Sequence, residues 1–267
     1  MRADIQLSQG NWYNAVWQLS RRKELATPEE IPQSAMVLAA GLGTRMRPLT
    51  DCKPKPLIRV WGKTLLDHSL DALENAGVAK AVINVHYLAD QIEDHVHDRQ
   101  CPEITISDER DLLLDSGGGA KHALGLLGEA PFFLLNADSF WVEGITPNLE
   151  AMARAWDPER MDILLLVASM DMTVGFDGRG DFFMDQNANL TRRGDKQTAP
   201  FVYAGAAILS PTIFDNTPDG PFSLNLLFDR AIETKRICGM TMQGLWLHVG
   251  TAEAIVEAEQ AIAKSAA

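Results

Sequence analysis

From Met36 onward the chain alternates short apolar runs with amphipathic segments, and this rhythm constrains the fold more than any other feature. Met36-Val37-Leu38-Ala39-Ala40 reads as a buried strand that runs straight into Gly41-Leu42-Gly43-Thr44-Arg45. A helix is expected over about 64–76, with Leu66, Leu70 and Leu73 on one face and Gly77 closing it. Strands at Ala81–Val85, Ile104–Ser107 and Phe132–Leu135 are expected to alternate with helices at Ala89–His97 and after Gly118. Right-handed crossovers bring each such helix back over its sheet. The expected fold class is therefore α/β, a Rossmann-like three-layer α/β/α arrangement around a mostly parallel, mixed central sheet.

The second half is less regular. Ile163–Ala168, Phe182–Met184, Phe201–Leu209 and Ile237–Met242 read as strands with fewer helices between them, which implies an inserted hairpin or lid. A last helix is expected over Ala252–Lys264, and no hexapeptide-like repeat follows it, so no appended parallel β-helix is expected. Residues 1–35 stand apart as an N-terminal extension to a single domain at 36–267. The extension carries Trp12, Tyr13 and Trp17 and ends in a Pro-rich linker; a short surface helix and an unstructured leader ahead of Met36 are both open readings.

Charge narrows the partners. A net charge of −12 disfavours nucleic acid. Yet from Arg45 to Lys63 six basic residues (Arg45, Arg47, Lys53, Lys55, Arg59, Lys63) face only Asp51, a local island suited to a small anionic ligand. No apolar run has the length of a membrane span, the start lacks a secretory pattern, and three widely spaced cysteines (Cys52, Cys101, Cys238) fit reduced thiols; a cytoplasmic location is expected.

Four blocks carry candidate chemistry. The first is the loop through Gly41 and Gly43 to Lys53-Pro54-Lys55-Pro56-Leu57, where backbone N–H groups and the cations Arg45 and Lys55 suit a phosphate. It is neither a dinucleotide fingerprint, since Met46 replaces the third glycine, nor a P-loop, since Leu57 stands where the first glycine before Gly62-Lys63-Thr64 is required. Asp115-Ser116-Gly117-Gly118-Gly119 forms the second, able to lie flat against a base or phosphate, although on its own a flexible turn is the more ordinary reading of three glycines. In the third, Asn136-Ala137-Asp138 ends an apolar strand and delivers a carboxylate suited to Mg²⁺ against a nucleotide. Trp246-Leu247-His248-Val249-Gly250-Thr251 is the fourth.

The first block resembles the N-terminal signature of the sugar-1-phosphate nucleotidyltransferase family, A-G-x-G-T-R-M-x-P-L-T followed by P-K-P-L, and the resemblance extends over about 36–262. It implies the nucleotide-diphospho-sugar transferase type of fold and a reaction of an NTP with a sugar 1-phosphate that releases pyrophosphate. Nucleotide contacts are implied at Ala40, Gly41, Gly43, Thr44, Ser116, Gly117, Gly118 and Asn136, with Arg45 on the leaving phosphates, Lys55 on the reacting phosphate and Asp138 as principal ligand of Mg²⁺, Mn²⁺ being the alternative. Asp181 and the stretch Tyr203 to Ala206, Gly205 included, fall at sugar-contacting positions, and Arg192, Arg193 or Lys196 are candidates for a sugar carboxylate. His248 stands where the family has a second metal-binding Asp. Imidazole is a poor Mg²⁺ ligand, which leaves three readings open: one-carboxylate Mg²⁺ binding, a changed metal preference, or a degenerate nucleotide-binding protein. Within the family, Asn84-Val85-His86-Tyr87-Leu88 and Gly205-Ala206-Ala207-Ile208-Leu209 look most like the bacterial N-acetylmuramate-1-phosphate uridylyltransferases, ahead of the mannose-1-phosphate guanylyltransferases. UTP is the nucleotide this implies, with the protein a monomer or homodimer.

Overall fold

The computed structural model describes residues 31–265, so the helix considered within the N-terminal extension lies outside the described residues. In chain order the elements are β1 (Ser34–Leu38), β2 (Arg59–Val60), β3 (Lys63–Thr64), α1 (Leu65–Asn75), β4 (Lys80–Val85), α2 (Ala89–Val96), β5 (Glu103–Asp108), α3 (Asp115–His122) and the short α4 (Leu124–Leu127). They continue with β6 (Phe132–Asn136), β7 (Ser139–Glu143), α5 (Asn148–Ala155), β8 (Ile163–Ser169), β9 (Thr173–Val174), β10 (Phe182–Met184), β11 (Leu190–Arg192), β12 (Phe201–Leu209), α6 (Asn225–Glu233), β13 (Ile237–Thr241), β14 (Gly244–His248) and α7 (Ala252–Ser265).

A nine-stranded sheet has the order β11-β10-β12-β6-β1-β4-β5, with β8 also on β12 and β13 on β8. β6, β1, β4 and β5 are parallel, and β12 joins this half antiparallel to β6. Alternation along β1 divides the core: Ala35 and Val37 pack with Leu66, Leu70, Ile92 and Met152, while Met36 packs with Ala120, Leu127, Leu227 and Phe228. Helices α1, α2 and α5 thus cover one face and α3, α4 and α6 the other, which makes the three layers. Gly77, at φ +80°, closes α1.

Three features differ from the sequence reading. β1 starts at Ser34, two residues before the strand expected at Met36, because Ser34 and Ala35 already pair with Lys80 and Ala81. Helices α5 and α6 were not expected, and neither was a second, three-stranded sheet of order β7-β14-β9. That small sheet encloses a third apolar cluster, in which Met46, Val60, Leu65, Phe140, Leu247 and Val249 meet Ala258 and Ile262 of α7. The expected inserted hairpin is β10–β11, paired from Phe182↔Arg192 to Met184↔Leu190. Among the described residues no helix is long and apolar enough to cross a membrane.

Candidate active site

The parallel strands β1, β4, β5 and β6 all end on one edge of the sheet. After β1 the chain proceeds to β4 and β5 on one side and then returns to place β6 on the other, so the order reverses between β1 and β6. Ligands of open α/β sheets collect at such a reversal. Two predicted blocks meet there: the Ala137 N–H donates to the Leu38 carbonyl at 3.2 Å, holding the start of the phosphate loop against Asn136-Ala137-Asp138.

Loop geometry follows from its glycines and threonine. Gly43 has φ +64°, and a Cβ there would lie 3.1 Å from both Lys55 Cβ and Thr50 Cγ2, so the loop folds closely onto Lys55. Thr50 Oγ1 donates to the Gly43 carbonyl at 2.8 Å, and buried Met46 anchors the following turn in the third cluster. Nothing lies within 4 Å of a Cβ built on Gly41, which leaves the outer side of the loop open. The exposed side chains of Thr44 and Arg45 follow, while Ala40 is buried. Lys55, only 12% exposed, donates from Nζ to Asp138 Oδ2 at 3.0 Å.

His248 reaches the same place through the small sheet. β14 pairs antiparallel with β7, setting His248 opposite Ser139, and the Val249 N–H donates to the Asp138 carbonyl at 3.0 Å. Its imidazole stacks at 5.5 Å on Trp246, with the Phe176 ring edge-on at 6.0 Å. A Cβ on Gly250 would lie 2.8 Å from His248 Nε2 and 3.6 Å from Arg45 Nη1, so imidazole and guanidinium flank one glycine. Burial among the rings, with help from the Lys55 and Arg45 cations and against the pull of Asp138, holds His248 below its ordinary pKa and therefore neutral near pH 7. Burial also pushes Asp138 upward, but the charge and hydrogen bond of Lys55, with the Arg45 guanidinium and, at acid pH, a protonated His248, outweigh it and hold the carboxyl below its ordinary value.

This donor set bears on a divalent cation. Among the described residues no three or more His, Cys, Asp or Glu side chains are arranged to hold a metal. Mg²⁺ is commonly held by one or two carboxylates together with substrate phosphates and water, and an ionised Asp138 at the phosphate-loop edge fits that pattern without further protein ligands. His248 presents a neutral nitrogen on the same side.

On the far side of Asp138, β12 carries a bulge between Tyr203 and Ala207. Gly205, at φ +81°, sits so close to the β6–β7 corner that a Cβ would collide with Ser139 Oγ and come within 3.3 Å of Asn136 Cβ. The Ala204 carbonyl accepts from Trp246 Nε1 at 2.9 Å and from Ser139 Oγ at 3.4 Å, which fixes this bulge of the large sheet to the small one. Asp181 Oδ2 accepts from the Tyr203 N–H at 3.0 Å, so one oxygen of this carboxylate braces β12. The Tyr203 hydroxyl is buried with no partner and packs edge-on to Phe228. Arg192 is paired with Asp229 at 2.7 Å, Arg193 holds the Gly180 and Lys196 carbonyls, and Lys196 lies 4.2 Å over the Phe183 ring, so all three are engaged within the chain.

The triple glycine is not the loop that its composition implies. It lies inside α3, which begins at Asp115. The Gly117 and Gly118 N–H groups both donate to the Phe222 carbonyl, at 2.8 and 3.0 Å, and Ser116 Oγ accepts from the Leu224 N–H at 3.0 Å. A Cβ on Gly117 would press into Phe222, and one on Gly118 into the Gly220 carbonyl. These glycines are therefore required by the segment 220–224 that lies across the helix, and their amides have partners within the chain. The phosphate loop, Asp138, His248 and Gly205 converge, while Ser116, Gly117 and Gly118 are bonded to Phe222 and Leu224.

Sequence reasoning passed over Glu109 and Phe176, and gave Trp246 no role within its block. Glu109 is 3% exposed, although it stands within Asp108-Glu109-Arg110-Asp111, a run that reads as solvated charge. The available signal was its position one residue after a strand of the parallel half.

Comparisons with known proteins identify the relatives of this chain. Residues 34–173 match the family described as Nucleotidyl transferase. The chain is 48% identical over 240 residues to N-acetylmuramate alpha-1-phosphate uridylyltransferase of Caulobacter vibrioides, covering 88% of this chain and 99% of that protein. It is 34% identical over 228 residues to the protein of the same name from Neisseria meningitidis serogroup B, covering 84% and 96%. Among solved structures, the inositol-1-phosphate CTP transferase of T. maritima superposes with a TM-score of 0.69 at 17% identity, covering 85% of this chain and 96% of that one, a likeness of fold.

Proposed function

This chain belongs to the nucleotidyl transferase family, and we propose that it joins UTP to N-acetylmuramate 1-phosphate with release of pyrophosphate. The observation that carries the reading is the meeting of Arg45, Lys55 and Asp138 at the reversal point of the sheet, in a chain 48% identical to a uridylyltransferase over nearly its whole length. Oxygen of the sugar phosphate attacks the α-phosphorus in line. One P–O bond forms, the bond to the β-phosphate breaks, and pyrophosphate carries away the electron pair. No covalent intermediate is required.

Acceleration comes from positioning and charge. The Gly41–Thr44 backbone wraps the triphosphate where the loop is open. Lys55, released from Asp138 when phosphate arrives, stabilises the charge that builds on the α-phosphoryl oxygens. Arg45 neutralises the leaving pyrophosphate. Asp138 would hold Mg²⁺, with His248 as neighbour, and the cation supplies charge neutralisation and orientation of the phosphate oxygens. The sugar lies against the Gly205 bulge beside Asp181. This reading includes a cytoplasmic location, a reducing compartment with which three free cysteines are compatible.

The test is pyrophosphate release from UTP, GTP, CTP or dTTP with a panel of sugar 1-phosphates and Mg²⁺ or Mn²⁺. Release with UTP and N-acetylmuramate 1-phosphate is expected; selective release with another pair would reassign the substrates.

A further inference from the structure

Behind the phosphate loop runs a buried polar chain that spans three strand ends. The Ala39 N–H, at the root of the loop, donates to Asn84 Oδ1 at 2.7 Å. Asn84 Nδ2 donates in turn to Glu109 Oε1 at 2.8 Å, and Glu109 Oε2 accepts from the Leu114 N–H at 3.2 Å, just ahead of α3. Both side chains are 3% exposed. Gly119 completes the arrangement, since a Cβ there would lie 2.5 Å from Glu109 Oε1 and 2.8 Å from Asn84 Nδ2. The third glycine thus makes room for this pair of side chains. His86 Nδ1 donates to the Glu109 carbonyl at 2.6 Å and fixes the backbone of the acid.

We propose that Glu109 is a positioning residue that, through Asn84, couples the phosphate loop to the segment leading into α3, so that nucleotide binds to one locked arrangement of both. This deepens the nucleotidyl-transfer reading and rests on it for the identity of the nucleotide. A carboxylate offers two acceptors and no donor, so it meets both N–H groups and forces the Asn84 amide to aim its oxygen at Ala39. A glutamine at 109 has one acceptor and one donor end. If its oxygen faces Leu114, its NH₂ confronts the Asn84 NH₂; turning Asn84 over aims NH₂ at the Ala39 N–H. If its oxygen faces Asn84, its NH₂ confronts Leu114. Every orientation leaves one donor opposed to another, and a buried donor without an acceptor is expensive.

The same logic predicts a repair. In a chain carrying Asn84→Asp with Glu109→Gln, the new carboxylate accepts from Ala39 and from the glutamine NH₂, and the glutamine oxygen accepts from Leu114. All three contacts are restored with the charge moved one residue along the chain of bonds.

UTP affinity by calorimetry and amide hydrogen exchange at Ala39 and Leu114 test this in wild type, Glu109→Gln and the double variant. Glu109→Gln is expected to weaken UTP about tenfold or more, the scale of one lost buried hydrogen bond, and to speed exchange at one of the two amides. The double variant is expected to recover to within about threefold, which a general loss of packing would not allow. Wild-type UTP affinity in Glu109→Gln, or a double variant no better than the single, would overturn the coupling. A wild type that binds UTP but turns over no sugar phosphate would defeat the functional reading while leaving the coupling test intact.

Discussion

Two single residues test the chemistry of the site. His248 is neutral and boxed by Trp246 and Phe176, so it adds no negative charge to help Asp138 hold a cation. In His248→Asp a second carboxylate faces Asp138, and the Mg²⁺ concentration giving half-maximal pyrophosphate release is expected to fall; an unchanged or higher requirement would remove His248 from the metal's surroundings. Gly205 tests shape rather than charge. Its φ of +81° and the collision of any Cβ with Ser139 Oγ predict that Gly205→Ala loses about 1–3 kcal/mol of stability, read as a lower urea midpoint. The identities of Arg45, Lys55 and Asp138 were legible because their neighbours in sequence form recognisable strings. Glu109 was not legible, because burial of a carboxylate within a charged run depends on the strand beside it, which no local pattern encodes.

At the scale of elements, α3 shows packing overriding propensity. Three consecutive glycines disfavour a helix by about 1 kcal/mol each relative to alanine, which is why the sequence reads as a turn there. The segment 220–224 lies so close that only glycine fits, and the bonds from Phe222 and Leu224 hold the helix start. Gly118→Ala is accordingly expected to lower the melting temperature despite the better helix former; a rise would mean that propensity decides. The start of α1 carries a pH dependence. Thr64 and Asp67 form a capping box, and His95 bonds Asp67 at 2.9 Å. Burial raises the Asp67 pKa, but Thr64 and His95 outweigh it and hold the carboxyl below the ordinary aspartate value. A folded-state value below the unfolded one stabilises fully above about pH 4 and is lost as pH falls through the folded value. Asp67→Asn is expected to cost about 1 kcal/mol at pH 7 in urea unfolding, with the difference from wild type closing towards pH 3.

For the whole molecule, the parallel half was readable from Met36 to Leu135, the glycine-bearing start of α3 apart, because its main strands and helices carry their own periods. The small β7-β14-β9 sheet was not, since the three strands are short and the β7 partners of Trp246 and His248 lie over 100 residues away along the chain. Yet this long-range pairing brings His248 to Asp138 and fastens the Gly205 bulge through Trp246. The proposed centre thus draws on both halves of the chain, with Lys55 and Asp138 as the contact between the phosphate loop and the strand edge. The most direct measurement is the turnover of Lys55→Ala with saturating UTP, N-acetylmuramate 1-phosphate and Mg²⁺, beside a melting curve. A loss of roughly 100-fold or more in kcat with an unchanged melting temperature is expected, the scale of one removed preorganised donor; turnover close to wild type would contradict the assignment of this centre.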